Sequence, residues 1–247
     1  MCLIVFAWRP GHSRPLVLAA NRDEFYARPT LALGEWADAP GVHAGRDLEA
    51  GGTWLGVGPD GRFAAVTNIR GGGGGTGHRS RGELCAAYLA GTQPLETYAR
   101  DLCARANAYG GFNLLLGDGQ ALYYLNSHSA APEALGEGIY GLSNAALNTP
   151  WPKLLKARKT LASQLDGPAS TLLDALADPT QAGDAELPDT GVGLTTERLL
   201  SSVFIASPNY GTRASTVLII HGDGRRELTE RSFGPGGRHL GEVEVTA

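Results

Sequence analysis

The sequence predicts an α+β fold built on antiparallel sheet, and two observations carry the prediction. Four pairs of short runs rich in β-forming residues are each separated by a compact breaker sequence. The helical segments fall between these pairs and do not alternate with single strands, which disfavours a doubly wound parallel sheet. With 247 residues, 43% of them hydrophobic and 19% charged, the chain can bury one large core, and a single domain over residues 1–247 is expected.

Residues 3–8 and 16–20 flank the breaker Arg9-Pro10-Gly11-His12-Ser13-Arg14-Pro15 and read as the first hairpin. Residues 53–57 and 62–68 form a second across Gly58-Pro59-Asp60-Gly61, whose Pro, Asp and Gly each suit a turn. Residues 112–116 and 121–125 make a third across 117–120, and residues 215–221 and 225–233 a fourth across Gly222-Asp223-Gly224. A helix over 81–90 is expected to open on Ser80, with Glu83 completing a capping box, and to close at Gly91. Further helices are expected over 95–107 and 152–164, the latter with Pro152 at its start, and shorter ones over 170–177 and 197–204. Residues 179–194 read as a loop, and the glycine run 71–75 is the one low-complexity segment.

Composition excludes several function classes. A net charge of −4 with scattered Lys and Arg gives no footprint for a polyanion, so no nucleic-acid partner is expected. Cys2, Cys85 and Cys103 are odd in number and lack CxxC spacing, which points to a reducing compartment. The apolar opening 2–8 has no preceding basic segment and is broken by Pro10, so neither a secretory signal nor a membrane span is expected, and the location is expected to be cytoplasmic. Among the six histidines no pair lies at i, i+3 or i+4, so no metal site is expected. No Gly-x-Ser-x-Gly elbow is present. Gly72-x-Gly74-x-x-Gly77 has the form of a phosphate loop, but such a match is nearly automatic in polyglycine. Gly77 is followed by His78-Arg79 instead of Lys-Ser, and a lid or plain loop is the favoured reading.

Cys2 is the first place to look for chemistry. Removal of Met1 would leave it with an α-amine, ordinarily titrating at ~7.7–8.0, and a thiol at ~8.5, a nucleophile and a base on one residue. The alternative is a small apolar residue opening a buried strand. The densest polar cluster, Asn21-Arg22-Asp23-Glu24-Phe25, follows the second strand, and hairpin pairing would return Arg22 and Asp23 beside Cys2. There a guanidinium would favour thiolate and a carboxylate would hold the terminal amine. A solvated turn with an ion pair is the plainer possibility.

Asn21-Arg22-Asp23-Glu24 resembles the signature of the NRDE family, typified in animals by transport and Golgi organisation protein 2. The resemblance continues in Phe25-Tyr26-Ala27-Arg28-Pro29, Gly51-Gly52-Thr53-Trp54-Leu55-Gly56, Thr67-Asn68, Ser80-Arg81-Gly82-Glu83-Leu84 and Tyr210-Gly211-Thr212-Arg213. That family in turn is similar to the N-terminal-nucleophile hydrolases, in particular the cysteine branch with penicillin V acylase and bile-salt hydrolase. This resemblance implies a four-layer αββα sandwich of two antiparallel sheets. It implies Cys2 as nucleophile and terminal base, Asp23 as the carboxylate holding the amine, Asn68 as oxyanion donor, Asn144 as a second polar residue of the site, and Arg213 as a distal basic residue. In the acylase branch two residues separate the Arg from the Asp, whereas Arg22 directly precedes Asp23 here, so Glu24 stands as an alternative carboxylate.

Two functions follow from the resemblance. One is an amidohydrolase acting on a non-peptide C–N bond of a small-molecule acyl amide, without a cofactor. The other is a non-catalytic handling protein for haem or lipid, with Cys2 as an axial ligand or as a structural residue. Pocket walls are expected from loops 71–78 and 180–194.

Overall fold

The computed structural model describes residues 2–70, 77–129 and 131–247. The first hairpin pairs β1 (Cys2–Trp8) with β2 (Leu16–Phe25). Next come β3 (Thr30–Trp36), β4 (Ala39–Asp47), β5 (Leu55–Val57) and β6 (Phe63–Asn68), then the helices α1 (Gly82–Ala90) and α2 (Leu95–Ala104). Strands β7 (Phe112–Gly117), β8 (Leu122–Asn126), β9 (Glu133–Ala134) and β10 (Gly138–Leu142) precede α3 (Pro152–Ala162), α4 (Ala169–Ala175) and α5 (Leu194–Leu200). The chain ends in β11 (Tyr210–Ile220), β12 (Arg226–Gly234) and β13 (Arg238–Thr246).

Two antiparallel sheets result, a six-stranded one in the order β10-β1-β2-β11-β12-β13 and a seven-stranded one in the order β3-β4-β5-β6-β7-β8-β9. Helices α1 and α2 cover the outer face of the larger sheet, and α3 and α4 cover the smaller. The expected four-layer αββα sandwich is therefore present. It explains why β1 reads as an unbroken apolar run: both of its faces are covered. Leu3 and Val5 pack outward against Leu154, Leu161 and Leu172 of α3 and α4. Ile4, Phe6 and Trp8 face inward, into the core shared with the larger sheet. Each of these fully buried side chains contributes up to about 1.5–3 kcal/mol.

All four expected hairpins form. Five strands were not foreseen, among them the two-residue β9. β3, β4 and β13 are broken by charged residues and glycines, and β10 carries only a short apolar signal. β2 runs on to Phe25, so the polar cluster 21–25 lies inside a strand and not after one. Ladders to β1 and β11 on its two sides outweigh the low strand propensity of Asn and Asp. The capping box is absent: no side chain caps α1, and the Glu83 carboxylate instead meets the Arg79 guanidinium, a charge-assisted pair that outcompetes a back-bond to the helix start. α2 gives way to a 3₁₀ turn at Ala106–Ala108, and α5 begins three residues before the expected start, after Gly193 at φ +82°. The glycine run 71–75 lies outside the described residues. No helix among the described residues is long and apolar enough to cross a membrane.

Candidate active site

Register assembles the site. β1 and β2 set Cys2 opposite Arg22, while β2 and β11 set Asp23 opposite Thr212 and Arg22 opposite Ala214, with a bulge at Arg213 between them. Alternation along β2 then sends Asn21 and Asp23 toward the helical layer and Arg22 into the space between the sheets. Asn21 is fixed by donating to the carbonyls of Leu176 (2.9 Å) and Val203 (2.8 Å) and by accepting from the Ser215 hydroxyl (2.6 Å). Asp23, 1% exposed, accepts from the Thr212 hydroxyl at 2.8 Å. Arg22 stacks on the Trp54 ring at 4.2 Å and donates to the Thr30 hydroxyl at 3.2 Å. Glu24 instead accepts from the backbone N–H of Phe25 at 2.8 Å. Gly45 makes the stack possible, because a Cβ there would sit 2.2 Å from the Trp54 ring.

Asn68 ends β6, and its side-chain and backbone oxygens both accept from the Asn144 amide, each at 3.0 Å. With Oδ1 occupied in this way, Nδ2 is the group left to donate. Ser143 beside it donates to the Cys2 carbonyl (3.1 Å), and the Thr67 hydroxyl donates to the Ser143 carbonyl (2.6 Å). The Ser143-Asn144 pair after β10 thus ties the start of β1 in one sheet to the end of β6 in the other.

A cavity of about 400 Å³ is lined by Cys2, Arg22, Asp23, Trp54, Thr67 and Asn68, together with Glu24, Arg28, Asp47, His78, Arg79 and Arg81. Of the two loops expected as walls, the first contributes Gly77 and His78, while residues 180–194 contribute none of its lining. The Arg22–Trp54 stack also lines a second cavity of about 390 Å³, and Arg213 belongs to that one. There its guanidinium donates to the carbonyls of Phe25 (2.9 Å), Tyr26 (3.2 Å) and Arg28 (2.9 Å). Four of the six residues expected from sequence, Cys2, Arg22, Asp23 and Asn68, therefore line one space, Asn144 is buried behind Asn68, and Arg213 stands apart.

Electrostatics differ from the sequence expectation. Cys2 keeps partial solvent access, but the protein packed around its sulfur desolvates the thiol and pushes its pKa up; the Asp23 charge adds to the rise. The N-terminal ammonium, then Arg22 and a hydrogen bond from the Asp23 backbone amide, only partly offset it, so the thiolate is disfavoured. Asp23 is likewise raised by burial, with Lys153 the strongest opposing influence.

Lys153 was not found from the sequence. It is 3% exposed, and its Nζ has no hydrogen-bond partner among the described residues. Burial lowers its pKa, and Asp23 opposes the fall. Beside it Arg70 pairs with Glu197 at 2.7 Å, both 5% exposed, and lies over the Trp151 ring at 4.9 Å. A signal was present, since 153, 157 and 161 share one stripe of α3 and the other two are Ala and Leu. A lysine in that stripe, in the first turn where the helix dipole disfavours a cation, is out of place for a merely structural helix.

Two sheets packed face to face between helical layers, with a cysteine at the start of an inner strand, define an N-terminal-nucleophile-hydrolase-like fold. The solved structure of the Caenorhabditis elegans N-acylethanolamine-hydrolyzing acid amidase ortholog matches it with a TM-score of 0.52, covering 88% of this chain and 92% of that one at 12% identity, a likeness of fold. By sequence the chain belongs to the Transport and Golgi organisation 2 family, whose model matches residues 1–235. It is 35% identical to the transport and Golgi organization protein 2 homolog of Bos taurus and 34% identical to that of Homo sapiens, in each case over 94% of this chain and 93% of the relative. The Drosophila melanogaster protein is 27% identical over 94% and 92%.

Proposed function

We propose that the chain is an amidohydrolase whose nucleophile is Cys2 once Met1 is removed, cleaving the C–N bond of a small-molecule acyl amide. The observation that carries this reading is the shared cavity: Cys2, the buried Asp23 and an Asn68 pinned by Asn144 all line one space of about 400 Å³.

The protonated thiol requires a base, and an α-amine on Cys2 would be one in the same residue. The amine takes the thiol proton as sulfur attacks the carbonyl carbon, and negative charge builds on the carbonyl oxygen opposite Asn68 Nδ2. Such a donor contributes about 10²–10³ in rate. The amine returns the proton to the leaving nitrogen as the C–N bond breaks, leaving a thioester on Cys2. Water, deprotonated by the same amine, then releases the acid and restores the thiol. Asp23 is the carboxylate placed to hold the amine, being buried and oriented by Thr212, whereas Glu24 is engaged with the next backbone amide. Arg22 fixes the position of the cavity wall through Trp54. Because the thiol must stay reduced, a reducing compartment such as the cytoplasm belongs to the same proposal.

Intact-mass measurement on protein purified from its own cells should show Met1 gone. Incubation with a panel of acyl amides should leave an acyl adduct on Cys2, with turnover abolished in Cys2→Ala. Retained Met1, or hydrolysis persisting in Cys2→Ala, overturns the proposal. A saturable haem absorbance shift lost in Cys2→Ala, with no adduct from any amide, would favour the handling function instead.

A further inference from the structure

We infer that Lys153 is a positioning residue for Cys2: its buried ammonium balances Asp23 and so keeps the Cys2 α-amine neutral and able to accept the thiol proton. The inference rests on the reading of Cys2 as a terminal nucleophile.

Lys153 has no structural reason to be charged. It sits in the first turn of α3 at 3% exposure, and its Nζ has no hydrogen-bond partner among the described residues. A methionine would fill the same shape without the cost of burying an ammonium. Its surroundings include a void of about 10 Å³ shared with Arg70, Trp151 and Glu197, close to the size of one water. What the ammonium does have is position. α3 packs directly on β1, the strand that Cys2 opens, and the buried Asp23 side chain of β2 is directed toward the same helical layer, where its charge favours the ammonium.

The charges around the start of β1 come from every neighbouring element. β2 supplies Arg22 and Asp23, the segment after β6 supplies Arg70, α3 supplies Lys153 and α5 supplies Glu197. Tyr210 of β11 and Cys85 of α1 are held neutral by burial. Arg70 is matched by Glu197 at 2.7 Å, and Lys153 offsets Asp23. A further ammonium on Cys2 would then face Arg22 and an already balanced cluster, so the neutral amine is favoured. Without Lys153, the Asp23 carboxylate would be left to hold the Cys2 ammonium as an ion pair, and an ammonium cannot take a proton from sulfur.

The test uses the full chain with Cys2 as first residue, produced behind a removable leader if necessary, as wild type, Lys153→Met and Lys153→Arg. The Cys2 amine is titrated by competitive acetylation with acetic anhydride and mass spectrometry of the N-terminal peptide, a readout that needs no substrate. In Lys153→Met, labelling at pH 7 should fall about tenfold and recover at higher pH, the effect of roughly one pH unit. Lys153→Arg should stay within about twofold of wild type, and Lys153→Met should melt no lower than wild type. A wild-type labelling profile in Lys153→Met, with or without a lowered melting temperature, overturns the inference and leaves Lys153 structural. Should Lys153→Met not fold, Lys153→Gln is titrated in its place against the same expectation. The two proposals fail separately: a shifted amine titration with no amide cleaved by wild type removes the hydrolase and keeps Lys153, and cleavage with no shift does the reverse.

Discussion

Asn144 touches no candidate reacting atom, yet its amide holds both oxygens of Asn68. If Asn68 is the oxyanion donor of the proposed reaction, Asn68→Ala should lower kcat by about 10²–10³. Asn144→Ala keeps the donor but lets its amide turn, so kcat should fall about 10- to 100-fold with KM little changed, measured beside a melting curve because Asn144 is itself fully buried. A rise in KM alone would place Asn144 in binding. At this scale the sequence spoke where a polar residue meets a strand end, as at Cys2 and Asn68. It was silent on Trp54, whose use as a shelf for Arg22 depends on a glycine, Gly45, in another strand. Arg22 and Arg213 look alike as text. One lies over the candidate site and the other clamps a turn, a difference set by a single bulge.

Among the elements, the approach of α1 to the Trp54 segment is set by Gly52. The Thr53 N–H donates to the Gly82 carbonyl at 3.1 Å, and a Cβ on Gly52 would stand 2.3 Å from the Gly82 carbonyl carbon. Gly52→Ala should therefore push the start of α1 away and cost about 1–3 kcal/mol in chemical denaturation, and it should loosen the cavity wall next to it. This gives the Gly-Gly-Thr-Trp and Ser-Arg-Gly-Glu blocks a shared physical reason: each supplies one glycine to the same contact. Hairpins joined by Gly and Asp turns were legible because their chemistry is local. β3, β4 and β13 were not, because strands interrupted by charge are specified by their partners. The same limit explains why residues 21–25 read as a turn and fold as a strand.

On the scale of the whole molecule, Glu230 joins the two sheets. From β12, at 2% exposure, it accepts from the Leu33 N–H of β3 (2.8 Å) and from the Thr216 hydroxyl of β11 (3.2 Å). Burial raises its pKa above the ordinary 4.5, with these two hydrogen bonds and Arg22 opposing. Below that ordinary value both folded and unfolded chains carry the proton, and the carboxyl imposes no penalty. As pH rises past it the unfolded chain ionises first, so the native state loses stability until its own group has titrated. Glu230→Gln should consequently raise stability by about 1 kcal/mol at pH 7, roughly 2–4 °C, and leave it unchanged near pH 3. Melting curves at the two pH values check this, and equal shifts at both would point to packing instead of charge. The layering of the molecule was legible mainly through resemblance, since periodicity alone gives antiparallel hairpins without saying how two sheets stack.

The bulge at Arg213 works as a correction of parity. β11 advances three residues from Thr212 to Ser215 while β2 advances two from Asp23 to Asn21, and both hydroxyls meet their partners on the same face. In a regular strand, residues an odd number apart point in opposite directions, and one of the two partners would go unserved. The chain between Gly211 and Ser215 is thus counted out residue by residue, whereas the hairpin loop of residues 9–15 has no such arithmetic to keep.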